Sequence, residues 1–160
     1  MISKFSLGLV ALALCFACPS SYAQTVSART TPGIKADMPY ELDVCLEDEP
    51  TVEADGRINP FYLSGDFDGD GITDFAVQVK SKTSKAYDVL FCFGNGKRIL
   101  WPAGGSNDAQ YDCWWLMPKG GKLLSVYPQV KHDAINVGIT DEGGGVLYWT
   151  GKKFGWIPQD

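Results

Sequence analysis

The sequence predicts an all-β fold whose antiparallel strands form a small sandwich, barrel or partial propeller. From Phe61 onward, apolar and polar residues alternate with the period of two that is typical of strands. Turn-forming residues interrupt this alternation roughly every 8–12 residues, as they do in sandwiches and barrels. No segment carries an amphipathic helical pattern of useful length. These observations favour a single β domain over residues 38–160.

The N-terminus is typical of a secretory signal peptide. Lys4 supplies a positive charge, and an uncharged apolar run follows from Phe5 to Ala17. This run is too short to span a bilayer comfortably, which takes about 20 residues. Ser21 and Ala23 occupy the small-residue positions of a cleavage site, so we expect cleavage after Ala23. An uncleaved membrane anchor and a lipoprotein cut before Cys18 are the alternatives.

Three regions follow from cleavage after Ala23. Residues 1–23 are the signal peptide, residues 24–37 form a polar, flexible leader, and residues 38–160 form the β domain. Export places the mature chain in the periplasm or outside the cell, with no transmembrane segment left after cleavage. The chain has 14 basic and 19 acidic residues, and this acidic balance disfavours nucleic-acid binding, which needs a basic face.

Three cysteines remain after removal of the predicted signal peptide: Cys45, Cys92 and Cys113. An oxidising compartment favours disulfides, and an odd number of cysteines allows at most one intramolecular pair among these three. We favour Cys92–Cys113, because Cys92 lies in an apolar strand pattern and Cys113 precedes two tryptophans. Three buried free thiols are the alternative.

The individual elements follow from local patterns. Residues 38–46 are mixed and predict either one helical turn or a first strand, and residues 50–60 are typical of a loop. Residues 75–80 alternate, which predicts a strand with one buried face and an opposite face that carries Gln78. The sequence Gly-Asn-Gly at 94–96 predicts a tight hairpin turn. The strand candidates are 61–63, 75–80, 87–93, 99–101, 113–117, 122–127, 134–139, 146–150 and 154–157.

The strongest local signal is the acidic loop of residues 65–74, GDFDGDGITD, here called the Asp loop. Its aspartates stand at relative positions 1, 3, 5 and 9, and a glycine stands at position 6. Calcium binds about six to eight oxygen ligands, and short Asp side chains at alternate positions of a tight turn can converge on one such ion. Carboxylates packed this closely repel one another without a cation. The predicted ligands are Asp66, Asp68, Asp70, the carbonyl of Ile72, and Asp74.

Two features separate the Asp loop from an EF-hand. The twelfth position holds Val77, where an EF-hand carries a bidentate Glu. The flanking residues alternate as strands, so we expect the loop to join two β-strands, with Asp74 in place of the missing Glu. Magnesium fits less well than calcium, because it demands a tighter octahedral geometry. The alternative is an Asp- and Gly-rich hairpin turn that holds no ion.

The stretch 61–79, FYLSGDFDGDGITDFAVQV, resembles one FG-GAP or VCBS-type repeat, as found in the blades of integrin-like β-propellers. The resemblance implies calcium ligation by positions 66, 68, 70, 72 and 74. The C-terminal stretch LYWTGKKFGWIPQD resembles the end of small exported bacterial proteins that carry a single such loop. The chain has one repeat of this kind and is too short for the blades of a closed propeller.

Tryptophan is dense in this chain, which contains five. We expect most aromatic side chains in the core of a small β domain, with an exposed platform for a protein or glycan as the alternative. Trp114 and Trp115 are adjacent in a strand candidate, and adjacent strand residues point to opposite faces. One of the two therefore points away from what the other packs on and is the best candidate for contact with a partner.

The sequence contains none of the common catalytic motifs. His132, the single histidine, lies in a predicted loop, where histidines are mostly solvated. No nucleophile elbow, zinc-protease motif or phosphate-binding glycine loop occurs. We therefore predict a non-enzymatic, calcium-binding interaction module whose partner is a protein or glycan in the cell envelope or outside the cell. The alternative is a periplasmic enzyme inhibitor or immunity-type protein.

The export hypothesis predicts a defined mature N-terminus. Mass spectrometry of the protein purified from its host should find a chain that begins at Gln24, because signal peptidase cuts after the small residue Ala23. A folded product that retains residues 1–23 would contradict the predicted localisation.

Overall fold

The computed structural model describes residues 38–102 and 111–159, so the predicted signal peptide and leader lie outside the described residues. The described chain contains an α-helix, α1 (Tyr40–Glu47), and a short 3₁₀-helix (Lys122–Val126). Neither of these helices has the length and apolar character needed to cross a membrane. The strands are β1 (Val52–Ala54), β2 (Tyr62–Gly65), β3 (Asp74–Ser81), β4 (Tyr87–Cys92), β5 (Arg98–Pro102), β6 (Cys113–Met117), β7 (Ala134–Ile139), β8 (Gly143–Trp149) and β9 (Phe154–Gln159).

The first sheet contains β1 to β5 and is antiparallel throughout, with β3 at its centre. β2 pairs with the first half of β3, where Tyr62 lies opposite Val77, and β1 pairs with the second half, where Val52 lies opposite Ser81. β4 follows β3 as a hairpin, and β5 follows β4. Because neighbouring strands run in opposite directions, the β2–β3 connection and the β4–β5 turn lie at the same end of this sheet.

The second sheet is an antiparallel meander in the order β6-β7-β8-β9, and its inner face packs on the inner face of the first sheet. Phe91 of β4 stacks on Phe154 of β9, with ring centroids 3.8 Å apart. The two described sheets are open and form no closed barrel, which confirms the all-β prediction and matches its sandwich form. The shared core contains Ile58, Leu63, Phe67, Ala76, Val89, Phe91, Phe93, Tyr111, Trp114, Ile135, Val137, Leu147, Trp149 and Phe154.

The prediction that β3 has one buried face is wrong. Val77 and Val79 are fully buried beneath α1, but Ala76 and Gln78 on the opposite face are fully buried as well. β3 is covered on both sides because α1 lies over the outer face of the first sheet while the second sheet covers the inner face. The polar side chain of Gln78 suggested a solvent-facing side, yet its amide nitrogen and oxygen are buried without a hydrogen-bond partner.

A disulfide joins Cys45 of α1 to Cys92 of β4, so the prediction of a Cys92–Cys113 pair is wrong. Both sulfur-bearing side chains are buried in the layer between α1 and the first sheet. Cys113 begins β6 in the second sheet, beside Gly138 of β7. An isolated helix as short as α1 is unstable in water, so the disulfide and the buried Leu42 hold it in place.

Three further segments show where the observed helices and strands agree with or differ from the sequence patterns. Residues 38–46 were consistent with a helix or a strand, and α1 is the helix. Residues 50–60, predicted as a loop, contain the short strand β1. Residues 122–127, predicted as a strand, form the 3₁₀-helix instead, and this prediction is wrong. The 3₁₀-helix forms because Leu124 turns inward onto Met117 and Ala134, on the outer face of the second sheet.

The Cys45–Cys92 disulfide should contribute measurably to stability. The double variant Cys45→Ser/Cys92→Ser should lose about 2–4 kcal/mol of unfolding free energy, because the crosslink restrains a long loop in the unfolded chain. Denaturant titration with and without reductant measures the loss. Cys113→Ser is the control and should keep the full sensitivity to reductant. A Cys113→Ser variant that no longer responds to reductant would show that Cys113 belongs to the bridge.

Candidate metal centre

The Asp loop connects β2 to β3, and its ends are held together by strand pairing. Gly65, the last residue of β2, lies opposite Asp74, the first residue of β3. The prediction that this loop joins two β-strands is therefore confirmed. Strand pairing on either side fixes the distance between the two ends, so the intervening residues must form a compact turn.

Backbone N–H groups within the loop donate to its own carboxylates. Gly69 N donates to Asp66 Oδ1 at 2.7 Å, and Gly71 N donates to Asp66 Oδ2 at 3.2 Å. Gly71 has a φ of 84°, a conformation that residues with a side chain rarely adopt. Asp68 and Asp70 each accept an N–H from two residues further on, at 3.2 Å and 2.8 Å. These bonds turn the carboxylates towards the inside of the loop.

Asp74 is the buried member of the loop, with no exposed surface. Its Oδ2 accepts the N–H of Phe67 at 2.8 Å, and its Oδ1 accepts the N–H of Gly94 at 2.8 Å. Burial raises the pKa of Asp74, the backbone donors Gly94 and Phe67 oppose that rise, and the negative charge of Asp68 adds to it. An ionised Asp74 therefore costs stability in the absence of a compensating positive charge.

Asp66, Asp68 and Asp74 form a group that can hold a metal ion. One carboxylate oxygen from each lies within 4.8 Å of the other two. Asp70, also predicted as a ligand, is not part of this group of converging oxygens. Ile72 has a half-exposed side chain, and the role of its carbonyl stays a prediction. The structure thus brings together three of the predicted carboxylates.

Asn95 contacts the loop from the β4–β5 turn, although the sequence analysis assigned the Gly-Asn-Gly segment only a turn role. Its Nδ2 lies 3.3 Å from Asp68 Oδ2 and 3.4 Å from Asp70 Oδ2, so the amide donates to both carboxylates. The signal that could have located Asn95 is the order of the hairpins. Once β4 pairs with β3, the turn that follows Cys92 must lie beside the start of β3.

Asp133 joins the Asp loop to the second sheet, a role that no motif in the sequence indicates. Asp133 Oδ2 accepts the N–H of Asp66 at 2.9 Å, and the N–H of Asp133 donates to the carbonyl of Asp66 at 3.2 Å. Asp133 Oδ1 also accepts the N–H of Lys119 at 2.7 Å. One side chain therefore connects the Asp loop, the start of the β6–β7 connection and the start of β7.

His132 packs directly on the Asp loop at Gly69. A Cβ at Gly69 would lie 2.0 Å from Nδ1 of His132, and Gly69 has a φ of 84°, so only glycine fits at this position. Nδ1 of His132 is buried without a hydrogen-bond partner. The loop position of His132 predicted a solvated ring, whereas the ring is half-buried against the turn. The ring of His132 therefore covers one side of the Asp loop at Gly69.

Trp114 and Trp115 point to opposite faces of the second sheet, as predicted for adjacent strand residues. Trp114 is 3% exposed, lies in the shared core and donates its Nε1 proton to the carbonyl of Pro60. Trp115 is half-buried on the outer face. Of the two, only Trp115 retains surface that a partner can reach.

Comparison with protein-family models, with curated proteins and with solved structures finds no match to this chain. The resemblance of residues 61–79 to one FG-GAP or VCBS-type repeat therefore stays a prediction. The arrangement of carboxylates, backbone donors and Asp133 is the basis for assigning a function.

Asp133 should be a main determinant of the stability of this site. Asp133→Ala should lower the unfolding free energy by about 1–3 kcal/mol, because it removes hydrogen bonds to a charged acceptor from the part-buried N–H of Asp66 and the exposed N–H of Lys119. Glu53→Ala is the control, since it removes one carboxylate from an exposed position on β1. Urea denaturation in chelator measures both variants. Equal stability of the two would show that the Asp133 contacts contribute nothing beyond charge.

Proposed function

We propose that the chain is an exported, calcium-binding β domain that acts as a non-enzymatic binding or interaction module. The observation that carries the proposal is the convergence of Asp66, Asp68 and Asp74 within 4.8 Å at the end of a paired β-hairpin. Three carboxylates at this separation repel one another, and a bound cation removes that repulsion.

The chemistry of the donors favours calcium. The group consists only of carboxylate oxygens, which hard cations prefer over the nitrogen and sulfur ligands of zinc. Asp74 is held in place by backbone donors from two different segments, so its position is set before any ion binds. The loop sequence resembles one FG-GAP or VCBS-type repeat, which adds Asp70 and the carbonyl of Ile72 to the proposed ligands. Calcium accepts this larger and less regular set more readily than magnesium.

A calcium ion at this position would act on structure. It would compensate the buried charge of Asp74 and reduce the repulsion between Asp74 and Asp68. The Asp loop contacts Asn95 of the β4–β5 turn and Asp133 of the second sheet. Fixing the loop would therefore also fix the relative positions of these two segments. We propose no catalytic step for the ion.

The proposed partner is a protein or glycan in the cell envelope or outside the cell. Trp115 is the residue of the predicted pair that retains reachable surface, on the outer face of the second sheet. Partly exposed tryptophans contribute strongly to contacts with proteins and sugars. The alternative of a periplasmic enzyme inhibitor or immunity-type protein would give one stoichiometric enzyme partner in a periplasmic pull-down, whereas a module with a wider role would capture glycan or surface material.

Calcium should raise the melting temperature of the protein, and chelator should lower it. A ligand at 100 times its dissociation constant stabilises the folded state by about 2.7 kcal/mol, and extracellular calcium modules bind at about 10⁻⁴–10⁻³ M. Asp68→Ala or Asp70→Ala should remove most of the calcium response. The difference between calcium and chelator is the quantity to measure, because each variant also relieves charge repulsion in the metal-free protein.

The matched control for the calcium experiment is Glu53→Ala, which changes the net charge equally and lies outside the Asp loop. It should keep the full calcium response, and magnesium at equal concentration should produce much less stabilisation. Identical melting in calcium and in chelator, together with calorimetry that finds no binding up to several millimolar, would show that the loop is only a hairpin turn.

A further inference from the structure

The β6–β7 connection, residues 118–133, places two aliphatic side chains in water. Leu123 is 58% exposed and Val126 is 69% exposed, which makes them the most exposed aliphatic side chains in the described part of the chain. Both lie on the 3₁₀-helix. Apolar side chains that stay in water forgo the free energy of burial, so a neighbouring pair of them is a candidate for contact with an apolar surface.

The geometry of the 3₁₀-helix explains why these two side chains point outward together. Such a helix has three residues per turn, so residues three apart lie on the same side. Leu124 and Tyr127 form the inward side, where Leu124 is 6% exposed and packs on the second sheet. Leu123 and Val126 form a second side that faces solvent, here called the aliphatic ridge. Lys122 lies beside the ridge on the third side.

Hydrogen bonds tie the connection to the second sheet on both sides of the helix. Before it, Asp133 Oδ1 accepts the N–H of Lys119 at 2.7 Å. After it, the hydroxyl oxygen of Tyr127 accepts the side-chain N–H of Gln159 at 2.7 Å. The ridge is therefore presented in one orientation by packing and hydrogen bonds on the opposite side. A fixed orientation lowers the entropy lost when a surface is contacted.

The charge around the ridge is opposite to that of the chain as a whole. The chain has 14 basic and 19 acidic residues, yet the β6–β7 connection contains Lys119, Lys122 and Lys131 and a single carboxylate, Asp133, whose oxygens accept backbone N–H groups. All three lysines are exposed. Lysines that flank apolar side chains place their ammonium groups at the level of lipid phosphates while the apolar groups enter the acyl region. Each lysine near an anionic bilayer strengthens binding several-fold.

We infer that the β6–β7 connection is a contact site for an anionic phospholipid surface, with Leu123 and Val126 inserted at the level of the headgroups and Lys119 and Lys122 on the phosphates. The combination of an aliphatic ridge and flanking positive charge favours a lipid surface. A soluble polyanion would engage the lysines and leave the ridge in water. This site is distinct from the proposed calcium site, although Asp133 connects the two by accepting the N–H groups of Asp66 and Lys119. The inference itself does not rest on calcium binding.

Vesicle flotation tests the inference with wild-type protein and variants that are produced identically. Wild type should bind phosphatidylglycerol/phosphatidylcholine vesicles at least about tenfold more tightly than phosphatidylcholine vesicles. Leu123→Ser/Val126→Ser should bind the mixed vesicles about tenfold or more weakly than wild type, because both side chains lose apolar contact. Lys119→Gln/Lys122→Gln should lose most of the preference for the anionic lipid and respond less to added salt.

The control variant is Leu100→Ser, which removes an aliphatic side chain that is 40% exposed on β5 of the first sheet. It should bind vesicles as wild type does, and thermal melting confirms that each variant is folded. Calcium is present at the same concentration throughout. The inference is overturned if wild type shows no preference for anionic vesicles, or if the Leu123→Ser/Val126→Ser variant binds them as tightly as wild type. If that variant binds anionic vesicles as tightly as wild type and polyphosphate displaces it from them, the site binds soluble polyanions instead.

Discussion

The carboxylate of Asp74 is buried at the first residue of the central strand of the first sheet, and much of the surrounding architecture satisfies it. An ionised carboxylate without contact to water is stable only when donors or a cation surround it. Phe67 N and Gly94 N supply donors from two separate segments. These contacts draw the Asp loop and the β4–β5 turn together, and Asn95 then lies against Asp68 and Asp70.

The end of the molecule that holds the Asp loop also carries polar contacts between the two sheets. The close-packed side chains of the shared core already restrict how one sheet can slide over the other. At the Asp loop, the carboxylate of Asp133 accepts N–H groups from Asp66 and from Lys119. His132 adds a close steric contact at Gly69. Directional bonds and shape at this end thus add to the alignment that core packing provides.

The sequence predicted the features that depend on residues close to one another along the chain. The alternation of apolar and polar residues and the spacing of the aspartates predicted the β2–β3 hairpin and the convergence of Asp66, Asp68 and Asp74. Both features depend only on the loop and the two strands that flank it. The disulfide partner Cys45 and the contact of Asp133 depend on how distant segments pack, so no local pattern indicates them. Residues 122–127 were predicted as a strand because apolar residues over so short a stretch fit the period of a strand or of a helix equally well, and residues 122–126 form the 3₁₀-helix. Gln78 was misjudged because a polar residue in alternation normally faces water, whereas here a helix and a sheet cover both sides of its strand.

The disulfide and the Asp loop are neighbours, because Cys92 lies opposite Phe75, the residue after Asp74. The disulfide forms in an oxidising compartment, and weak calcium sites fill where the free ion is abundant. Neither condition is met in the cytosol, where thiols stay reduced and calcium is scarce. If the chain is exported as proposed, the newly made precursor would therefore lack both the crosslink and the bound ion beside the start of β3. We expect this precursor to be less stable than the mature protein, which would gain both after it leaves the cytosol.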